Sequence, residues 1–293
     1  MALLGCPALA EVPMSWDSTG HVVVPTFVNG KGPFDFIFDT GADESAVYAW
    51  FGKSLNLPKA GNKELTGATG NVDITTMRLA MLAVDGHSIS NVEVDTVPDR
   101  LDGAKLAGIV GVDLMMGRLA VLDFGCGTAA LLPLQDARPE VAGKGATLIN
   151  AGSIKDGNQL TLPVSLNGVT GVAVLYSGAR VTQINNRFAA AAHVDPQSTA
   201  FHDGDPTRGA SMKAVSVRVG PIGTAVFAGI TRRDAVARVG DLPFLEGAGL
   251  ADKPTMNLGL DLLRGTRLTV DYASRRFWMA ESSCVAPTAK KVP

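Results

Sequence analysis

The stretch "FDFIFDTGADES" (Phe34–Ser45) places Asp39 at the end of an alternating apolar run and follows it at once with Thr40 and Gly41. The alternation predicts a strand that delivers a carboxylate to a turn, where Gly41 lets another backbone segment approach closely. Aspartate is also a common turn former. Asp39 is therefore either a structural turn residue or an acid with a chemical role, and other features of the chain must decide between them.

Composition limits the classes of function. The chain has 293 residues, of which 46% are hydrophobic and 18% charged, so it can bury substantial cores and favours two modest domains. The formal net charge is -2, with lysine and arginine scattered along the chain, so the basic patch typical of a nucleic-acid binder is missing. No apolar run reaches the roughly 18 residues of a membrane-spanning helix. We therefore expect a globular protein that does not bind nucleic acid.

The N-terminal stretch "MALLGCPALAEVP" begins apolar and offers Ala8–Ala10 as a small-residue cleavage pattern, but lacks a basic n-region. It resembles the end of a signal peptide, and a frayed apolar N-terminus is the alternative for residues 1–14. The segment Leu3–Cys6 also loosely resembles a lipoprotein acylation site, so we expect membrane association only if the chain is lipidated. Both patterns favour export, and we predict a periplasmic location.

The three cysteines lie far apart in the sequence, with no CxxC pair and no histidine at ligand spacing. This pattern argues against a zinc site, and no metal or other cofactor is predicted. If cleavage follows Ala10, Cys126 and Cys284 remain. They would suit a disulfide in an oxidising compartment, although two buried free thiols would give the same sequence.

The chain contains an internal repeat. The stretch "VVVPTFVNGKGPFDFIFDTGA" matches "LTLPVSLNGVTGVAVLYSGA", with Pro25 and Pro163 138 positions apart. After a one-residue deletion, Asp39 falls opposite Tyr176. Each stretch contains an Asn-Gly pair, which predicts a hairpin turn between two strands.

A second pair of matching stretches completes each repeat. The stretch "GVDLMMGRLAVLDF" aligns without a gap with "GLDLLRGTRLTVDY", so Asp113 and Asp261 are 148 positions apart. Together the repeats predict a mainly all-β chain of two homologous lobes. We place these lobes at 15–134 and 157–282, joined by a linker at 135–156 and followed by a C-terminal tail at 283–293.

These motifs carry a family resemblance. "FDTGADES", followed at long range by "GIVGVDLM", resembles the retropepsin-like aspartic proteases, which share Asp-Thr-Gly-Ala and a later glycine turn. The resemblance implies two acid-protease lobes and a peptide or protein substrate. Catalysis would then use a water molecule activated between two carboxylates that share one proton. Asp39 would be the acid of the first lobe, Thr40 would hydrogen-bond across to the opposite lobe, and Gly41 would leave room for that approach.

The same resemblance implies a substrate-binding set beside the catalytic turn. Asp43 and Glu44 match acidic positions that line the substrate groove, although a solvated turn is an equally good interpretation. The stretch "TGATGN" resembles the glycine-rich tip of the hairpin that closes over bound peptide, and an ordinary hairpin loop is the alternative. The residues of this tip are Gly67, Ala68, Thr69 and Gly70.

The second lobe departs from the family pattern, because Tyr176, Ser177 and Gly178 stand where a second Asp-Thr-Gly is expected. A phenol titrates near ~10 and a carboxylic acid near ~3.9, so Tyr176 cannot replace an ionised aspartate at ordinary pH. Three hypotheses follow. The chain is an aspartic-type endopeptidase acting as a homodimer with Asp39 facing Asp39, or a pseudopeptidase that binds extended peptides between its lobes, or a closed pseudo-dimer in which Asp39 hydrolyses weakly and alone. We place endopeptidase first.

Overall fold

The computed structural model describes residues 11–136, 139–155 and 157–284. The described chain folds mainly into strands, so the predicted all-β class with two lobes is confirmed. The predicted signal peptide and acylation pattern at 1–10 lie outside the described residues. Within the described ranges, no helix has the length and apolar character needed to cross a membrane.

The strands of the first half are β1 (Val12–Pro13), β2 (Ser15–Trp16), β3 (Val22–Val28), β4 (Lys31–Phe38), β5 (Ala46–Tyr48), β6 (Lys59–Gly67), β7 (Gly70–Val84), β8 (His87–Val97), β9 (Gly108–Val110), β10 (Arg118–Asp123) and β11 (Thr128–Pro133). Those of the second half are β12 (Thr147–Asn150), β13 (Gly152–Ser153), β14 (Leu160–Leu166), β15 (Val169–Leu175), β16 (Gln183–Ile184), β17 (His202–Asp203), β18 (Arg218–Phe227), β19 (Ile230–Val239), β20 (Thr255–Leu258), β21 (Thr266–Asp271) and β22 (Arg276–Glu281). The helices are short: α1 (Ala49–Ser54), α2 (Val112–Met115), α3 (Pro139–Ala142), α4 (Asn186–Ala191), α5 (Phe244–Gly247) and α6 (Leu260–Leu263), with a 3-10 turn at Leu134–Asp136.

Each lobe contains one eight-stranded sheet, and the two sheets have the same strand order. The first runs β2-β3-β4-β9-β5-β8-β7-β6, and the second runs β13-β14-β15-β20-β16-β19-β18-β17. Each has one further pairing at the matching place, β3 with β7 and β14 with β18. A structural equivalent in the second lobe can therefore be assigned to each strand of the first.

A third sheet joins the lobes. Its order is β1-β11-β10-β21-β22-β12, with β10 and β21 antiparallel at its centre, where Leu119 pairs with Asp271. Helix α3 and strand β12 lie within the stretch 135–156 that was predicted as a linker. The two lobes are therefore held together by backbone hydrogen bonds as well as by side-chain packing.

The Asn-Gly turns have the backbone that the sequence predicts. Asn29 and Gly30 have φ of 51° and 75°, and Asn167 and Gly168 have φ of 50° and 86°. A two-residue hairpin loop of the primed type needs positive φ at both central residues, which asparagine and glycine tolerate best. The turns connect β3 to β4 and β14 to β15, so each sets the register of the strand that leads to the central Asp39 or Tyr176.

Strand β4 is buried at the end that precedes Asp39. Phe36 and Phe38 are fully buried in the main core, whereas Ile37, between them, packs into a smaller apolar cluster on the other face. Because both faces of the strand are covered here, the residue that follows Phe38 starts in a desolvated place. Asp39 is therefore delivered into the interior rather than to the surface.

Cys126 and Cys284 form a disulfide with an S–S distance of 1.98 Å, so the predicted pairing is confirmed. The bond connects the turn between β10 and β11 to the segment after β22. It therefore links the first half of the joining sheet to its second half.

Candidate active site

The two sequence-predicted turns meet at the interface of the lobes, where they form a reciprocal set of hydrogen bonds. The Thr40 N–H donates to Ser177 Oγ at 3.0 Å, and the Ser177 N–H donates to Thr40 Oγ1 at 3.0 Å. The two hydroxyls then donate to backbone carbonyls of the opposite lobe, Thr40 to Leu175 at 3.4 Å and Ser177 to Phe38 at 2.7 Å. Thr40 and Ser177 therefore make equivalent hydrogen bonds across the interface.

Asp39 lies in the middle of this arrangement with only 4% of its surface exposed. Its Oδ1 accepts hydrogen bonds from the Gly41 N–H at 2.7 Å and from the Gly178 N–H at 3.1 Å. A Cβ at position 178 would come within 2.0 Å of Asp39 Oδ2, so the carboxyl group requires glycine there. Burial raises the pKa of Asp39 to about 6, although these backbone N–H groups act in the opposite direction.

Tyr176 lies at the matching position of the second lobe. Its ring packs against Gly41, where a Cβ would come within 1.6 Å of the ring carbon Cδ2. The negative charge of Asp39 raises the phenol pKa, and burial raises it further. Tyr176 is therefore a neutral O–H group at any pH at which Asp39 titrates. Within the described part of the chain, this hydroxyl makes no hydrogen bond.

Sequence reasoning missed Tyr272, whose hydroxyl donates to the Thr40 carbonyl at 3.0 Å inside the core. Tyr272 aligns with Phe124 in the matched repeat stretches. A phenol in place of a phenyl ring at a matched buried position was the available signal, because a buried hydroxyl needs a partner. Tyr272 therefore holds the Asp39 turn of the first lobe from the side of the second.

The Gly-x-Asp-Leu turns have a structural role in both lobes. In the first lobe, Ser45 Oγ donates to Asp113 at 2.6 Å and accepts from the Gly111 N–H at 3.0 Å. In the second, Thr182 Oγ1 donates to Asp261 at 2.6 Å, and the Gly259 N–H donates to Thr182 Oγ1 at 3.0 Å. In each lobe these hydrogen bonds hold the loop that follows the central turn against the Gly-x-Asp-Leu turn.

Asp43 and Glu44 lie beside the Asp39 turn and have protein partners. Asp43 Oδ1 accepts from the Asn158 N–H at 2.7 Å, across the lobe interface. Glu44 forms an ion pair with Lys63, which also pairs with Asp95 at 2.8 Å. Their predicted contact with substrate stays a prediction.

The predicted hairpin tip lies between β6 and β7 and rests on the second lobe. Thr69, 1% exposed, has its Oγ1 2.8 Å from Ser211 Oγ and accepts from the Gly209 N–H at 3.0 Å. The Ala68 carbonyl accepts from the Phe244 N–H at 3.4 Å. The segment 204–217 lies between β17 and β18, so it is the second lobe's equivalent of the β6–β7 tip. The two tips therefore meet each other.

Two surface cavities lie away from the central turns. One, of about 340 Å³, includes Phe27 and Met81 in its lining, and the other, of about 420 Å³, includes His193 and Phe201. Neither is lined by a residue of the two turns. Among the described residues, no group of three or more histidine, cysteine or acidic side chains could hold a metal ion.

Fold and site together describe a pair of β lobes with an aspartate turn at their interface. Residues 24–114 match the family model described as aspartyl protease, so this segment is similar to that family. The resemblance stated from the sequence is confirmed for that segment. The match does not extend into the second lobe, whose likeness to the first rests on the repeats and the strand order. No curated protein matches the chain.

Proposed function

We propose that the chain is an aspartic-type endopeptidase in which Asp39 alone activates the attacking water. The observation that carries this proposal is the buried Asp39 carboxyl group, which accepts two backbone N–H bonds and has a pKa raised to about 6. A general base works best when its pKa lies near the operating pH. The burial and the raised pKa of Asp39 support that role, and they occur within a segment that is similar to aspartyl proteases.

The proposed reaction uses groups already at the site. Ionised Asp39 takes a proton from water as the water oxygen bonds to the peptide carbonyl carbon, and the carbonyl oxygen becomes an oxyanion. Tyr176 supplies a neutral O–H donor where a second carboxyl would lie, and its hydroxyl is free to stabilise that oxygen. Asp39 then returns its proton to the amide nitrogen as the C–N bond breaks, which regenerates the ionised base.

The intramolecular pairing of the lobes supports a single-chain arrangement. Ser177 and Gly178 already occupy the face of the Asp39 turn that a second copy would need. A homodimer with Asp39 opposite Asp39 would require the lobes to separate and would break the reciprocal hydrogen bonds. We therefore propose the closed pseudo-dimer as the active form, with the homodimer as a competing prediction.

The proposed substrate is an extended peptide or an unfolded protein segment. It would lie between the central turns below and the two meeting hairpin tips above, so the Gly67–Gly70 tip must lift to admit it. Nucleic acid is not a proposed partner, because the net charge is -2. Periplasmic export remains part of the proposal through the N-terminal pattern.

A second candidate function is a pseudopeptidase that binds extended peptides without cutting them. The observation that favours it is Tyr176, since its ring covers Gly41 and removes the partner carboxyl of a shared-proton pair. Peptide binding by strand addition would not need ionisable groups at the centre.

One substitution separates the two candidates. Asp39→Asn keeps the shape and the acceptor oxygen but removes the base. Cleavage of a reduced and alkylated protein should fall by about 10²-fold or more. Asp35→Asn is the matched control, because Asp35 lies on the same strand with its side chain exposed. Parent cleavage should rise with pH through about 6, as Asp39 ionises.

Three results are decisive. Undiminished cleavage by the Asp39→Asn protein would place the active site elsewhere. A parent that does not cleave, but whose Asp39→Asn form still binds peptide, would support the pseudopeptidase. Parent activity that rises steeply with protein concentration would support the homodimer.

A further inference from the structure

The two halves of the inter-lobe cleft carry opposite charges at equivalent positions. By the cleft we mean the region between the central turns, 39–44 and 176–181, and the hairpin tips, 67–70 and 208–213, together with Asp95 and Arg238 on the strands bonded to the loops after those turns. In the repeat alignment Arg180 falls at the position of Asp43. In the sheets, Ala46 of β5 pairs with Asp95 of β8, whereas Gln183 of β16 pairs with Arg238 of β19.

The equivalence holds for the contacts as well as for the alignment. Asp43 accepts from the Asn158 N–H just before β14, and Arg180 donates to the Thr19 carbonyl just before β3, at 2.9 Å. Asp95 is paired with Lys63 of the first hairpin, and Arg238 donates to Thr207 Oγ1 of the segment equivalent to that hairpin at 2.9 Å. Two carboxylates of the first lobe are therefore replaced by two guanidinium groups in the second.

The first half of the cleft is acidic overall. Glu44 and Asp95 share one cation, Lys63, and the Asp43 side chain accepts a hydrogen bond from the Asn158 N–H. The carboxylate of Asp95 is buried, since the residue is 3% exposed. This half therefore keeps an excess of negative charge close to the Asp39 turn.

The second half has two arginines outside the ion pairs of the described residues, and Asp102, which acts electrostatically on Arg180, is itself paired with Arg100. Neither Arg180 nor Arg238 forms an ion pair within the described part of the chain. The acids that act electrostatically on Arg238 are Asp205 and Asp261, and Asp261 is already held by Thr182. Burial lowers the pKa of Arg238, and the positive charge of Arg180 lowers it further. Two half-buried guanidinium groups that repel each other would be stabilised by an anion between them.

We propose that Arg180 and Arg238 form a carboxylate-binding subsite, so that the cleft selects a peptide with an acidic group on the second-lobe side of Asp39. The acidic first half would accept a basic or neutral side chain at the opposite position. This subsite rests on the proposed function only in that the cleft must hold an extended peptide, whether or not the peptide is cut. An aspartate or glutamate side chain and a free peptide C-terminus share the required chemistry.

Binding to the Asp39→Asn protein tests the subsite without cleavage. The probes are fluorescent peptides with blocked ends and an apolar centre, in a series that moves one glutamate along the chain, each matched by a glutamine version. An all-glutamine peptide with a free C-terminus tests whether the bound group is a terminal carboxylate rather than a side-chain carboxylate. At the best position, glutamate should bind at least about tenfold more tightly than glutamine, as expected for a charge-assisted hydrogen bond.

Arg238→Gln should abolish that preference, and Arg238→Lys should keep part of it. Arg233→Gln is the matched control, because Arg233 lies on the same strand with an exposed side chain, so the loss of net charge is identical. Thermal unfolding of each variant establishes that it is folded, and the lysine variant carries the test if the glutamine variant is not. If only the peptide with a free C-terminus binds about tenfold more tightly than the blocked glutamine peptides, the subsite is one for a terminal carboxylate.

The subsite is overturned if glutamate and glutamine peptides bind equally at every position, or if Arg233→Gln reduces the preference as much as Arg238→Gln does. Absence of any peptide binding also overturns it. Its failure differs from failure of the endopeptidase proposal. Cleavage by the parent without charge preference removes the subsite alone, whereas charge-selective binding without cleavage removes the endopeptidase alone.

Discussion

The two lobes keep their structural hydrogen bonds and differ in their charged groups. Thr40 and Ser177 make the same reciprocal contacts, although one has a methyl group that the other lacks. At the centre, by contrast, a carboxylate in one lobe faces a phenol in the other. A buried backbone N–H or C=O must find a partner in both lobes, so the hydroxyl oxygens stay. The second lobe keeps the same turn without a carboxylate, which supports the chemical role proposed for Asp39.

The largest expected effect comes from making the centres alike. Tyr176→Asp should place a second carboxyl beside Asp39, and two carboxyls so close share one proton, which creates an acid and a base at the same site. At about pH 4 to 5 the rate of cleavage should rise by about 10²-fold over that of the parent, which is the usual gain from a positioned general acid. The pH profile of cleavage is the measurement.

Tyr176→Phe is the control for that gain, because it removes the hydroxyl and keeps the ring. It should lower parent cleavage at neutral pH without creating acid activity. An unchanged pH profile in the Tyr176→Asp protein, with the protein folded, would contradict a shared site within one chain.

The next largest effect tests the equivalence of the reciprocal hydrogen bonds. Thr40→Val and Ser177→Ala each remove a buried hydroxyl that makes contacts in both directions. Because each leaves buried backbone groups unsatisfied, we expect a loss of about 3 kcal/mol in the free energy of unfolding for either variant. Urea unfolding measures the loss, and Thr75→Val on β7 is an exposed-pair control. If only one of the two buried variants loses stability, the Thr40 and Ser177 hydroxyls do not contribute equally to the free energy of unfolding.

Much of this arrangement could be predicted from the sequence, because the repeats placed Asp39 opposite Tyr176 and the Asn-Gly pairs set the registers of their strands. The Gly-x-Asp-Leu turn could be recognised in the sequence. Its partner Ser45 could not, since Ser45 and Asp113 come together only when the chain folds. Arg238 could not be matched with Asp95 at all. The two residues lie outside the aligned stretches, and only the strand pairing brings them to equivalent positions.

A smaller effect concerns the stability cost of the Asp39 carboxylate. Its folded pKa of about 6 lies above its ordinary value of 3.8, so the folded state holds the proton more tightly than the unfolded state does. The carboxyl therefore contributes stability below about pH 4, and that contribution is lost as the pH rises through about 6. An asparagine amide at this position would not titrate. We expect Asp39→Asn to be more stable than the parent by on the order of 2 kcal/mol at pH 7, and by much less at pH 4.

Urea unfolding of both proteins across this pH range measures the difference, with exposed Asp35→Asn as the control that should show no such trend. A stability gain that stays constant between about pH 4 and 7 would mean that Asp39 does not titrate differently in the folded state.

The smallest expected effect belongs to Glu44, whose ion pair with Lys63 has no counterpart in the second lobe. Val181 occupies the equivalent position there, and the loop after Tyr176 still folds, held by Thr182 and Asp261. The Glu44 side chain is 51% exposed, so solvent screens the pair, whereas Lys63 keeps its buried partner Asp95. Glu44→Gln should therefore change the free energy of unfolding by less than about 0.5 kcal/mol. Asp95→Asn removes the buried partner of the same lysine and should lower the free energy of unfolding by more. If Glu44→Gln lowers it as much as Asp95→Asn does, the exposed ion pair is needed to hold this loop in the first lobe, although the second lobe has no such pair.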